Sequence, residues 1–158
     1  MFDLELLLTQ LTAQFKTALN TAITAINTEK GAPTLMSTLD TNAWLIGSLD
    51  DKVKNYDNFV FGYVDDLNGL TNGQSVGKTY TIEYDLFISQ KEDGSDYTRM
   101  LRYWRALEQA GRASWDVGVK KGYDRATINL LNPIDIKLND SSYWHKVIGI
   151  KFEFTIVN

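Results

Sequence analysis

The chain has 158 residues, 44% of them hydrophobic, and sets 16 basic against 20 acidic side chains for a formal charge of −4. At this length roughly 68 to 70% of the unfolded surface is buried on folding, so one domain spanning 1–158 can hold a continuous core without covalent staples. The absence of cysteine excludes disulfides, thiolate nucleophiles and cysteine-ligated zinc or iron–sulfur centres, and His145 is the one histidine, too little imidazole for most metal sites or a hydrolase triad. The acidic balance argues against a basic nucleic-acid groove as the main surface.

Acids at Asp3 and Glu5 occupy the place where a secretory signal carries basic residues, and no apolar run approaches the length of a membrane span, so neither is expected. Apolar residues at Leu4, Leu8, Leu11, Phe15, Leu19, Ala22 and Ile26 recur in steps of three and four. That spacing predicts a helix with one buried stripe, stopped by Gly31 and Pro33. Its opposite face, with Gln10, Thr17, Thr21, Thr24 and Thr28, lacks the Lys and Arg that a membrane-surface helix presents to anionic lipid.

Residues 35–57 read as a loop anchored by Trp44, with a short helical turn over 49–54. Residues 58–66 alternate as a strand, and 78–90 alternate more cleanly, with Tyr80, Ile82, Tyr84, Leu86 and Ile88 against Thr79, Thr81, Glu83, Asp85 and Ser89. The second set predicts a wet sheet face. Between them the Asp-, Asn- and Gly-rich stretch 65–77 is expected to form a long mobile hairpin tip. A second helix is predicted over 96–110, with Tyr97, Met100, Leu101, Trp104 and Leu107 inward, Arg99, Arg102, Arg105 and Glu108 outward, and Gly111 at its exit. Residues 112–124 read as irregular. Residues 126–139 are β-rich but interrupted at Asn132-Pro133, which predicts a bulge or an edge. Residues 143–157 carry the strongest strand pattern, Ile148, Ile150, Phe152, Phe154 and Ile156 opposing Val147, Lys151, Glu153 and Thr155. The order predicts an α+β fold, an antiparallel sheet of about four strands with two helices packed on one face.

The stretch Gly73 to Thr79 approximates a phosphate-binding loop but has three residues between its glycines where four are needed, and a strand rather than a helix follows. Asp65, Asp66 and Asn68 beside Gly69 suggest a calcium loop, yet the glycine is misplaced and the closing glutamate is missing. The acid pairs Asp50–Asp51 and Asp65–Asp66 sit in turn-like contexts, with nothing that sets either across a cleft from another carboxylate. His145, between Trp144 and Lys146, has no visible nucleophile to activate. Trp104, Trp115 and Trp144 are simpler as core or interface anchors than as pocket walls for an enzyme or ligand binder. Arg99, Arg102 and Arg105 form a stripe that suits either ion pairing with an acidic neighbour or a subunit contact. No catalytic, cofactor or metal-binding residue is therefore expected.

The leading amphipathic helix, the strand Phe59-Val60-Phe61-Gly62-Tyr63-Val64, the alternating strand from Lys78 to Ile88, the helix with Met100, Leu101 and Leu107, and the closing strand Lys151-Phe152-Glu153-Phe154-Thr155-Ile156 together resemble the tail terminator proteins of long-tailed bacteriophages. The resemblance covers most of the chain and lies in length and element order. It implies a non-enzymatic virion protein at the tail–head junction, assembled in the host cytoplasm as a six-fold ring of copies of itself. Such a ring caps the tail tube protein, halts tube growth and docks to the head connector protein, with no membrane involved. DNA would pass through the lumen without specific binding, which suits an acidic chain. On that resemblance the tip, with Asp65, Asp66, Asn68 and Asn72, would face the lumen or the adjacent ring, and Arg99, Arg102, Arg105, Lys151 and Glu153 would serve subunit contacts. The final strand, with no element after it, would pair edge to edge with another subunit. Other phage subunits, of tail tube, head completion or baseplate, share this kind of fold and stand as rivals, as does an unrelated ring or filament adaptor.

Overall fold

The computed structural model describes residues 3–47, 56–66, 69–72, 75–90, 96–114, 125–137 and 144–157. The helical turn expected at 49–54, the Asp50–Asp51 pair, Asn68 and Trp115 lie outside them.

Asp3 is extended, and its carboxylate accepts the Leu6 amide at 3.0 Å. Satisfying that orphan donor starts helix α1, Leu4–Lys30. Gly31 ends it at a φ of 67°, where the glycine amide still reaches the Asn27 carbonyl at 2.9 Å. The buried stripe runs through Leu7, Leu11, Phe15, Leu19, Ala22, Ile23 and Ile26. Leu4 and Leu8 are half-buried, so in the first turns the stripe passes through Leu7, beside the expected positions.

The chain then returns along α1, held by two asparagines seven residues apart on one helix face. Asn27 donates to the Met36 carbonyl at 2.8 Å and accepts its amide at 2.9 Å, while Asn20 does the same for Leu39 at 2.9 and 2.8 Å. Each amide group thus pairs with an extended backbone as a neighbouring strand would. A single 3₁₀ turn, Thr41–Ala43, leads into β1, Trp44–Ile46. The predicted anchor holds, since Trp44 is buried edge-on against Phe15 with ring centroids 5.6 Å apart, but the segment is a strand where a loop was expected.

The remaining strands are β2, Asn58–Asp66; β3, Gly69–Asn72; β4, Ser75–Ser89; β5, Arg125–Leu130; β6, Ile134–Lys137; and β7, Trp144–Val157, with helix α2, Asp96–Ser114, between β4 and β5. They form one seven-stranded sheet ordered β1-β2-β4-β7-β5, with β3 also on β4 and β6 also on β7. β1 runs parallel to β2 and every other pairing is antiparallel. Among the described residues the fold is α+β with two helices, and its sheet is mixed and larger than the sheet of about four antiparallel strands expected.

Two of the extra strands are continuations. Val64 faces Ile82 but Asp66 faces Thr81, so Asp65 is the extra residue of a bulge. Beyond it Gly69 faces Lys78 and Asn72 faces Ser75, the same register as Asp66 with Thr81. β3 therefore prolongs β2 along β4, and most of the expected mobile tip is paired sheet. Similarly, the Leu131 amide bonds to the Gly149 carbonyl at 2.9 Å while Ile134 faces Val147, which leaves Asn132 and Pro133 together opposite Ile148. The proline interruption is both a bulge and an edge.

One further expectation is narrowed. β7 is flanked by β4 on one side and by β5 and β6 on the other, so over most of its length its ladder is occupied and only Ile156 and Val157 lack a partner on the β5 side among the described residues. Among the described residues the sheet ends on one side in β1, the far part of β2 and β3, and on the other in β5–β6.

Both helices cover one face. Their stripes share a core with Val60, Ile82, Tyr84, Leu86, Ile88, Ile148, Ile150, Phe152 and Phe154. α2 contributes Met100, Tyr103, Ala106, Leu107, Ala110 and Gly111, whereas Tyr97 is 64% exposed and Leu101 40% exposed. The expected face is rotated because the small residues let the helix approach the sheet. A Cβ on Gly111 would lie 2.5 Å from Ile150 Cδ1, so this glycine marks close packing in a helix that continues to Ser114, not its exit.

Candidate functional site

The face of the sheet opposite the helices grades in composition from end to end. At one end Phe59 stacks on Phe87 at 4.5 Å, and Val147, Ala43 and Leu45 complete a small second core. His145 lies against both phenyl rings, at 5.9 and 6.4 Å, and is buried; this is a packed position on the same side as Val147. At the far end stand Thr79, Thr81, Thr127, Thr155 and Glu153. Thr79 and Thr155 hydroxyls are 3.4 Å apart, and Thr127 donates to Glu153 at 3.3 Å.

Between these ends lie two rows that carry charge. Phe61, Asp85 and Gly149 are aligned across β2, β4 and β7, with Leu131 beside Gly149. Tyr63, Glu83, Lys151 and Asn129 form the next row. At Gly149 a Cβ would stand 2.7 Å from Asp85 Oδ1 and 2.8 Å from Leu131 Cδ1, so the ends of both side chains would have to shift to admit one. The Asp85 carboxyl and the Leu131 side chain both lean over the bare glycine, and the Tyr63 hydroxyl donates to Asp85 from a long 3.4 Å. Glu83 is 5% exposed. The bulge at Asp65 sends its carboxylate across to Lys151, 2.9 Å away.

Charge balance in this cluster is uneven, since Asp65, Glu83 and Asp85 share the Lys151 ammonium and Asp65 holds it by hydrogen bond. Burial pushes the Asp85 carboxyl up to about 7, with the neighbouring Glu83 and Asp65 charges adding to the rise and Lys151 opposing it. Burial also raises Glu83, again against Lys151. The bond to Asp65 raises Lys151, which stays charged. The arrangement supplies a carboxyl that exchanges its proton near neutrality.

A recess of about 310 Å³ opens elsewhere, between the 35–40 segment, the start of β2 and α2. Its polar floor is already internally paired. The Tyr103 hydroxyl donates to the Ser37 carbonyl and accepts from the Ser37 amide and Asn58 Nδ2 at 2.9 to 3.0 Å, while Asn58 Oδ1 takes the Ser89 amide at 3.0 Å. Burial pushes the Tyr103 hydroxyl up to about 12. Among the described residues no group of three or more His, Asp or Glu is placed to hold a metal ion, and no helix is long and apolar enough to cross a membrane.

The residues singled out from sequence are dispersed. Asp65 and Asp66 belong to β2 and Asn72 to β3, in paired strands rather than a loop. Lys151 and Glu153 lie on the open face, bonded to Asp65 and Thr127. The arginines tie α2 to the end of α1 and the segment after it. Arg99 reaches Asp96 at 3.2 Å and the Leu35 carbonyl at 3.4 Å, Arg102 donates to the Gly31 and Thr34 carbonyls, and Arg105 pairs with Glu29 at 2.8 Å. Glu83 and Asp85 were expected on a solvated face. The signals against that are Phe87, on the same strand parity, and Val147 and Gly149, which face Phe87 and Asp85 from β7. No protein-family model matches the chain, and no curated protein matches it.

Proposed function

We propose that the chain is a structural subunit of a long-tailed bacteriophage, a tail terminator. Copies close into a ring, six-fold by the resemblance, on the end of the tail tube, stop its growth and join the tail to the head connector. DNA passes through the ring, and no catalysis, cofactor or membrane takes part. The observation that carries this reading is the pair of unlike flanks on opposite sides of one sheet. β1 presents Ile46, 40% exposed, and the bulged β5–β6 flank presents Ile134, 54% exposed. Head-to-tail association needs two different surfaces on each copy, and it closes into a ring when the rotation per copy closes. Sheet edges supply such surfaces through backbone pairing. Arg99, Arg102 and Arg105 are engaged inside their own chain, so the flanks rather than the arginine stripe form the contact in this proposal. The same flanks would also serve an open tube of a tail-tube subunit, for which the rotation does not close.

Solution mass measurement with negative-stain imaging tests the association. Wild-type protein should give closed rings. Ile46→Asp and Ile134→Asp, each spoiling one flank, should each be monomeric, and their mixture should stop at dimers because one good pair of flanks remains. A wild-type monomer at high concentration, or rings formed by either variant alone, would overturn head-to-tail association at these flanks, and long wild-type tubes would favour the tube-subunit alternative.

A further inference from the structure

The open-face cluster has a consequence that does not depend on ring formation. Asp85 is half-buried, flanked by Phe61 on β2, Gly149 on β7 and Leu131 on the β5–β6 flank. The charged or titratable groups around it are Tyr63 and Asp65 from β2, Glu83 beside it on β4 and Lys151 from β7. The flank itself contributes the uncharged Leu131. Lys151 lies in the Glu83 row and bonds to Asp65, so Asp85 has no cation of its own within hydrogen-bonding distance among the described residues. An ionised carboxylate under an aliphatic side chain, next to a second buried carboxylate, is disfavoured by desolvation and by like charge together.

We propose that Asp85 is a proton-operated latch on the open face: protonated, it lies beneath Leu131 and holds the bulged β5–β6 flank down, and on ionisation it turns out toward water and frees Leu131. Losing the proton creates a charge on a half-buried group whose neighbours in its row, Phe61, Gly149 and Leu131, offer no cation. Because the loop of contacts runs through Leu131, whose amide bonds to Gly149, release is felt first at the bulge formed by Asn132 and Pro133.

The direction of the linkage follows from proton counts. Folded Asp85 keeps its proton up to about 7, whereas an unfolded aspartate loses it near ~4. Between those values the native state binds the extra proton, so this group's contribution to stability falls as pH rises through that window and is flat above it.

The test is a carbon-detected NMR titration of the full chain from pH 4 to 9, following the side-chain carboxyls and the Leu131 methyl groups, with Asp85→Asn for assignment. The expected result is an Asp85 carboxyl titrating near neutrality and a Leu131 methyl shift with the same midpoint, absent in Asp85→Asn. Lys151→Met should move both midpoints upward together, and this holds as a separate check if Asp85→Asn does not fold. An Asp85 carboxyl that titrates in the ordinary aspartate range, or Leu131 methyl shifts that stay flat through the Asp85 titration, would overturn the latch.

Discussion

In β2, Gly62 faces the core beneath the Tyr84 ring, and a Cβ there would stand 2.8 Å from both Tyr84 Cδ1 and Ile46 Cδ1. Tyr84 has no slack to give. It is fully buried among Phe15, Trp44 and Phe152, with ring centroids 5.0 to 6.1 Å away, and its hydroxyl is fixed 2.7 Å from Thr12 Oγ1. Overpacked cores lose about 1 to 3 kcal/mol. Gly62→Ala should therefore lower the unfolding free energy by about that amount, read from a shift in the urea midpoint at unchanged slope. A neutral result would show that Tyr84 or Ile46 can yield. From sequence, Gly62 stood out only as a member of an alternating strand. Its role depends on Tyr84 facing it across the ladder, a relation that register creates and local pattern does not carry. The same holds at Gly149, where the partner is the Asp85 carboxyl.

At the scale of elements, the two long strands were legible because each has one face against the helices, so their apolar positions alternate without a break. β1 was not. Its three residues lie parallel to β2 in a segment of Thr, Asn and Gly, too short for periodicity to register. β3 was hidden for a different reason, since Asp, Asn and Gly are turn formers and here flank a bulge in a paired strand. The inward face of α2 was misplaced because Tyr103, whose hydroxyl is satisfied by Ser37 and Asn58, and Arg99 are buried, and both read as polar or amphipathic. Glu83 and Asp85 were read as solvent-facing because alternation gives the parity of a face without showing that Phe61 and Leu131 flank the carboxyl there. Asn20 and Asn27 likewise gave no signal beyond their spacing at the margin of the α1 stripe, yet they hold the returning chain. Asn27→Ala leaves the Met36 amide and carbonyl without their partner, and a buried polar group left unmade costs about 1 to 3 kcal/mol. The expected outcome is a loss of stability in that range with faster hydrogen exchange at the Met36 amide, while protection in β7 falls only as far as global stability does. Unchanged exchange at Met36 would mean that the clamp contributes nothing.

At the scale of the molecule, one sheet carries a helical layer on one side, a graded open face on the other and, among the described residues, an unpaired flank at either end. The charge of −4 is consistent with a DNA passage in the proposed ring, because acidic walls do not hold phosphates by counterion release. Growth of tail tubes from purified tube protein, imaged with and without this chain, distinguishes a terminator from every rival subunit. Tubes arrested in length with a single ring of this chain at one end are expected; tubes of unchanged length that carry no ring, or polymerisation of this chain into tubes of its own, would contradict the terminator role.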